Sequence, residues 1–310
     1  MPPTSLNSAE NNAWLRAMPL VFVLIWSTGF IVARFGMPHA PPGTFLAIRY
    51  ALSLLCFGAW IVWARVPWRQ SRSQWLHLGV TGVLMHAGYL GGVWAAVKAG
   101  MGAGTIALLV GLQPVLTALW LSSTAHVGPP GGQRVGGDSQ VSRRQWLGLL
   151  LGLLGLTLVV WRKLGSGEVN HWNLLLALGA LLSITVGTLY QKRYVQACDV
   201  RSANAVQLMA ALAVSLPWAL MEAGTVDLHI EFFGAMAWSV LVLTLGGSSL
   251  LYLLIQQGAA TRVTSLLYLV PLTTALMAWM IFGESFTPLM ALGMVLTVLG
   301  VALVVRAPAK

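Results

Sequence analysis

Residues 112–120 read LQPVLTALW and residues 269–277 read LVPLTTALM, each inside an apolar run. Pro114 and Pro271 are 157 positions apart, and Thr117-Ala118-Leu119 matches Thr274-Ala275-Leu276 at the same offset. A proline inside a helix removes one backbone hydrogen bond and clashes with the preceding turn. One chain that repeats this defect in one context reads as two similar halves. The match extends outward. Gly29–Arg34 (GFIVAR) resembles Gly187–Lys192 (GTLYQK) at an offset of 158, which sets Arg49 against Gln207 and Gly100 against Gly258. Further on, Gly148 and Gly155 match Gly293 and Gly300 at an offset of 145. The offset shortens because the first half carries a longer Gly/Pro-rich loop, 124–144.

Of the 310 residues, 57% are hydrophobic and 8% charged, and the mean hydropathy is +0.77. Soluble domains carry about 25% charged residues. Ten apolar spans follow, at 17–36, 43–64, 75–98, 103–123, 145–161, 172–192, 203–222, 235–257, 262–282 and 287–305. Only helices and closed barrels satisfy their backbone in lipid. The runs lack barrel alternation, so the reading is an all-α polytopic membrane protein of ten transmembrane helices. Its expected organisation is a cytoplasmic tail over 1–15, a first five-helix repeat over 16–161 and a second over 172–306. Five spans is an odd number, so the second repeat enters from the opposite side, as in the inverted repeats of secondary transporters. The first run has a thin positive region (Arg16 alone) and no small-residue cleavage site, so it reads as a retained span rather than a signal peptide. The net charge of +10 does not point to nucleic acid, because the basic residues lie in short gaps between apolar runs.

Thirteen of the eighteen Lys and Arg fall in gaps on the side of the N-terminus. Arg34, Lys98, Arg162 and Lys163 fall on the other side, and Arg49 lies within a span. By the positive-inside rule both termini are cytoplasmic.

Polar groups inside a membrane are costly and face protein interior or a wet cavity. The candidates for a solute site are Trp26 and Ser27 in span one, His86 and Tyr89 in span three, Gln113 in span four, Tyr252 and Gln256 in span eight, and Tyr268 in span nine. Aromatic faces would cover an apolar body, and amides or hydroxyls would bind polar ends. The competing reading is interhelical hydrogen bonding. Pro114 and Pro271 are candidate hinges. Arg49, some six residues into span two, suits either a solute carboxylate or a structural contact. His86 suits a proton acceptor or a plain hydrogen-bonding role. Gly148/Gly152, Gly88/Gly92 and Gly100/Gly104 have the spacing that lets helices approach closely. Walker A, HExxH and GxSxG motifs are absent, and no carboxylate lies well inside a span, so neither an enzyme, a cofactor nor a metal is expected.

Taken together, LVFVLIWSTGFIVAR in span one, FLAIRYALSL in span two, LLVGLQPVLTAL in span four and SLLYLVPLTTALMAWMIFGE in span nine resemble the drug/metabolite transporter superfamily, EamA type. The resemblance covers about residues 15–306. It implies a bacterial inner-membrane exporter or exchanger of small metabolites such as amino acids, working by alternating access around a cavity between the halves. The expected partners are a small-molecule solute and the lipid bilayer, with a homodimer left open and no nucleic acid. The alternatives are a multidrug-type efflux protein or a membrane-embedded lipid-processing enzyme. One departure from the family pattern is visible: span nine ends Gly283-Glu284, whereas span four ends WLSSTAHVG and lacks the glutamate.

Overall fold

The computed structural model of the protein describes residues 6–66, 68, 71–124, 143–165, 167–247, 250, 269–285 and 287–305. Among the described residues there is no strand. The helices are α1 (Leu6–Gly36), α2 (Pro42–Trp63), α3 (Arg72–Lys98), α4 (Ala103–Val110), α5 (Gln113–Thr124) and α6 (Arg143–Gly165). They continue with α7 (His171–Tyr194), α8 (Val200–Met221), α9 (Ile230–Gly246), α10 (Val270–Phe282) and α11 (Pro288–Val305). Four of them, α2, α3, α7 and α8, are long and apolar enough to cross a membrane, and six shorter apolar helices accompany them. α1 begins at Leu6, so part of the expected tail is helical.

Local chemistry sets the helix ends. Ser71 accepts from Gln74 N at the start of α3, Asn170 and Asn173 form a reciprocal capping box on α7, and Asp199 accepts from Arg201 N on α8. Gly283 ends α10 with φ 63°, the left-handed conformation that a glycine adopts without strain.

The prolines that open the argument occupy a different place from the one expected. The expected span 103–123 is broken at Gly111–Leu112, and Pro114 lies in the first turn of α5. Pro271 likewise lies in the first turn of α10. A first-turn N–H has no intrahelical acceptor, so proline there costs no hydrogen bond. The two residues begin helices rather than damage them.

α3 and α9 each contain a π-helical stretch, Val83–Gly88 and Trp238–Gly246. A wider turn leaves carbonyls without their usual partners, and side chains take them up. Ser183 Oγ donates to Leu84 O at 2.8 Å, Tyr50 OH to His86 O at 2.9 Å, and Thr244 Oγ1 to Ser239 O at 2.8 Å.

Of the glycines expected to allow close approach, Gly148, Gly152, Gly88, Gly92 and Gly104 meet a neighbouring helix, and Gly100 does not. A Cβ on Gly155 would lie 2.2 Å from Gly293 O, and one on Gly300 2.4 Å from Gly148 O, so α6 and α11 touch backbone to backbone. On α3, a Cβ on Gly88 would lie 2.2 Å from Ser183 Oγ and one on Gly92 2.8 Å from Leu176 O of α7. Gly104 on α4 faces Ala275 of α10, while Gly100 sits in a turn with φ 97°. The aromatic centre of the core is Phe45 stacked on Trp94 at 4.4 Å, with Tyr50 and Phe57 also fully buried on α2.

Candidate functional site

Two polar contacts cross the middle of the bundle. Arg49 on α2 is 7% exposed, and its Nε and Nη2 donate to Thr244 Oγ1 in the π stretch of α9 at 3.3 and 3.1 Å. Its guanidinium lies 6.0 Å from the centre of the Trp94 ring, within cation–π range. Gln207 on α8 places Oε1 3.3 Å from His86 Nε2, in the π stretch of α3. The π turns aim both partners: His86 and Thr244 leave the straight helical register and face α8 and α2.

The other expected site residues lie nearby or apart as follows. Ser27 is fully buried and donates to Val23 O of its own helix at 2.8 Å, while Ser27 O accepts from Thr274 Oγ1 at 3.2 Å. Trp26 is 37% exposed and packs against Phe22. Tyr89 is buried just beyond the π stretch of α3. Gln113 Nε2 donates to Thr188 Oγ1 of α7 at 2.9 Å, next to the Gly111–Leu112 break. Thr105, on α4 before the break, donates to Glu168 at the helix start. Tyr252, Gln256 and Tyr268 lie outside the described residues. An apolar groove of about 640 Å³ between α3 and α8, lined by Trp75, Leu76, Val80, Val206 and Met209, opens on the outer surface of the bundle and not on these residues.

Sequence reasoning did not single out Thr244, nor Gln207 as a contact of His86. The signal was available: 49 and 207, like 86 and 244, differ by 158, the offset already read from the glycines.

One end of the bundle carries the turn with His39, and carboxylates gather there. Glu284 accepts from Ala103 N at 2.9 Å and Gly104 N at 3.3 Å, closing the start of α4. Glu168 accepts from Gly102 N at 3.1 Å and from Thr105 Oγ1, and pairs with the buried Lys163. Glu222 accepts from Gly43 N and Thr44 N at 2.9 and 2.8 Å, closing the start of α2. Carboxylates suit these positions because first-turn N–H groups are unpaired and the helix dipole is positive there. His39 Nε2 lies 3.0 Å from Glu231 and Nδ1 2.9 Å from Asp227, so both ring nitrogens are served only as imidazolium. The hydrogen bond to Glu231, then that to Asp227, raise the His39 pKa above its ordinary value. His39, His229 and Glu231 bring ligand atoms within 4.8 Å of one another, but the carboxylate of Glu231 already serves the His39 ring.

The chain was compared with known proteins. The model of the EamA-like transporter family matches residues 15–133 and 171–306. An uncharacterized transporter from Archaeoglobus fulgidus is 25% identical over 292 residues, covering 91% of this chain and 93% of its own. A probable amino-acid metabolite efflux pump from Salmonella typhimurium is 22% identical over 293 residues, covering 91% and 92%. A solved structure described only as "Crystal structure of protein" matches with a TM-score of 0.63 at 18% identity, over 94% of this chain and 96% of that one, a likeness of fold.

Proposed function

Because the chain belongs to the EamA-like transporter family and is therefore an integral membrane transporter, we propose that it is a ten-helix inverted-repeat secondary transporter. In this reading it exports or exchanges small metabolites such as amino acids across the bacterial inner membrane. The observation that carries the reading is a set of contacts that map onto one another. Shifting by 158 turns the contact Arg49–Thr244 into Gln207–His86. The same shift turns Gly29–Leu243 into Gly187–Met85. Shifting by 145 exchanges Gly155–Gly293 with Gly300–Gly148. The π stretch Val83–Gly88, shifted by 158, falls inside Trp238–Gly246. Pairs that swap under one shift are what a pseudo-two-fold axis between two upside-down halves produces.

Two near-equivalent halves give two near-equivalent states, one open to each side, with the solute near the midplane. The break at Gly111–Leu112, ahead of Pro114, and the start of α10 at Pro271 supply bending points in spans four and nine. Trp26, Ser27, His86, Tyr89 and Gln113 would line the path, with Tyr252, Gln256 and Tyr268 completing it. The excess of Lys and Arg at the opposite end makes the His39 end periplasmic. The name of the Salmonella relative supports amino-acid metabolites as the first solutes to test.

The test is efflux from proteoliposomes loaded with a panel of amino acids. Trp26→Ala and Gln113→Ala should each lower flux without lowering protein level. Unchanged flux in both removes them from the path, and absence of any flux in the wild type refutes the transport reading for that panel.

A further inference from the structure

Arg49 is a buried charge without an anion among the described residues. The chain has eight Asp and Glu side chains, and none lies well inside an apolar span. Six side chains among them are each engaged at an end of the bundle: Glu168 with Lys163, Asp199 with Arg201, Glu222 and Glu284 on helix starts, and Asp227 and Glu231 with His39. The other two, Glu10 and Asp138, belong to sequence outside the apolar spans. Buried charges in proteins are ordinarily paired, because an unpaired one keeps its full desolvation cost.

What Arg49 does have is neutral. Thr244 Oγ1 receives two of its N–H groups and passes its own proton to Ser239 O. The donor fork of a guanidinium has more N–H groups than that. Among the described residues Nη1 has no acceptor, and Arg49 keeps 7% of its surface exposed. The buried hydroxyls of Ser53, Ser215 and Ser239 have no hydrogen-bond partner among the described residues. Ser53 is one turn along α2 from Arg49 on the same face, and Ser239 is the residue whose carbonyl Thr244 holds. At the pseudo-symmetric position stands Gln207, an amide, so the charge is present on one side of the axis only.

We propose that Arg49 is the anion-recognition residue of the transport path and that the transported solute carries a single carboxylate. The proposal rests on the transporter reading above. Thr244 holds one edge of the guanidinium and sets its plane, and the free edge presents parallel N–H groups that suit a carboxylate. A second cation near Arg49 is lacking among the described residues, since Lys98 donates to Met37 O and Lys163 pairs with Glu168, both at the periplasmic end. A doubly charged phosphate would bring one negative charge too many, and an uncharged solute would leave the guanidinium as unpaired as before.

The experiment compares amino acids with their primary amides in proteoliposomes holding the full chain, for wild type, Arg49→Gln and Arg49→Lys. The wild type should move the acids at least about ten-fold faster than the amides, the scale of one lost charge-assisted hydrogen bond. Arg49→Gln should bring that ratio to about one by losing acid flux while amide flux persists, and Arg49→Lys should keep part of the preference. Persisting amide flux also shows that the variant is folded. An acid-to-amide ratio that is the same in wild type and Arg49→Gln, or a wild type that prefers amides, overturns the proposal and leaves the transporter reading standing. No flux of any panel member in the wild type overturns both. A variant that fails to elute as a monodisperse peak is replaced by Thr244→Val, which removes the acceptor that sets the plane of the guanidinium and should lower the same ratio; an unchanged ratio there overturns the proposal as well.

Discussion

At the His39 end, Glu168, Glu222, Asp227, Glu231 and Glu284 all reach back from the later part of the chain to groups in its first part. At the opposite end the contacts found between the two parts among the described residues are neutral or weakly polar. Gln74 bonds Gln196 O, His77 Nδ1 meets Tyr190 OH at 2.8 Å, and Arg201 lies over the Trp60 ring at 5.6 Å. The acidic residue there, Asp199, is held by Arg201 of its own helix, which pulls its pKa below the ordinary value. The difference teaches where the molecule yields. A charge-assisted bond to a helix start is roughly twice as strong as a neutral one, whereas a neutral amide contact near water is readily replaced by water. The His39 end is latched, and the Gln74 end is the easier one to part. The missing glutamate at the end of span four belongs to this asymmetry, because the corresponding position is Val127.

The strongest way to test the latch is to make it permanent. A Cβ on Gly104 would lie 3.2 Å from Ala275 Cβ, close to disulfide geometry. With Cys56 and Cys198 replaced by Ser, oxidised Gly104→Cys/Ala275→Cys should show no transport, and reductant should restore it. Transport that survives crosslinking would mean that the α4–α10 seam does not part in the cycle.

Weakening the latch comes next. Glu284→Ala frees two first-turn N–H groups of α4 and should cost about 1–2 kcal/mol, read as a lower melting temperature. It should also increase labelling of Ala275→Cys by a membrane-impermeant maleimide added from outside. Unaltered labelling would separate the cap from the seam.

His39 gives a smaller, pH-dependent effect. Its folded pKa is raised, so its contribution is fully present below about pH 6.5 and is lost as pH rises through the folded value. The groups that face it are Asp227, Glu231 and the stacked ring of His229. Melting temperature should therefore fall on going from pH 6 to pH 9 by more in the wild type than in His39→Phe, and equal slopes would refute the link. The smallest effect is expected at the other end, where Gln74→Ala or His77→Phe should each cost no more than about 1 kcal/mol. A loss there as large as that of Glu284→Ala would erase the contrast.

Much of this was legible in the residues. The apolar runs marked the helices because a chain in lipid must satisfy its backbone within itself, and the spacing of Gly148 and Gly152 marked a close approach because nothing larger fits between two backbones. The family resemblance followed from span four and span nine. The role of the prolines was not legible. LQPVLTALW looks like a damaged helix in one dimension, and only the Gly111–Leu112 break shows that the helix starts anew at Gln113. The π stretches escaped as well, since nothing in VLMHAG or WSVLVLTLG announces an extra residue per turn.

By itself the sequence determined that this is an apolar helical protein, because hydrophobicity is a property of order along the chain, and the repeat offset behind the proposal of two halves is read the same way. The tertiary structure alone decided which polar groups meet. Arg49 finds Thr244 and, among the described residues, no carboxylate, and Glu284 finds the start of α4, because hydrogen bonds depend on ångströms across helices that are 180 or more residues apart in sequence.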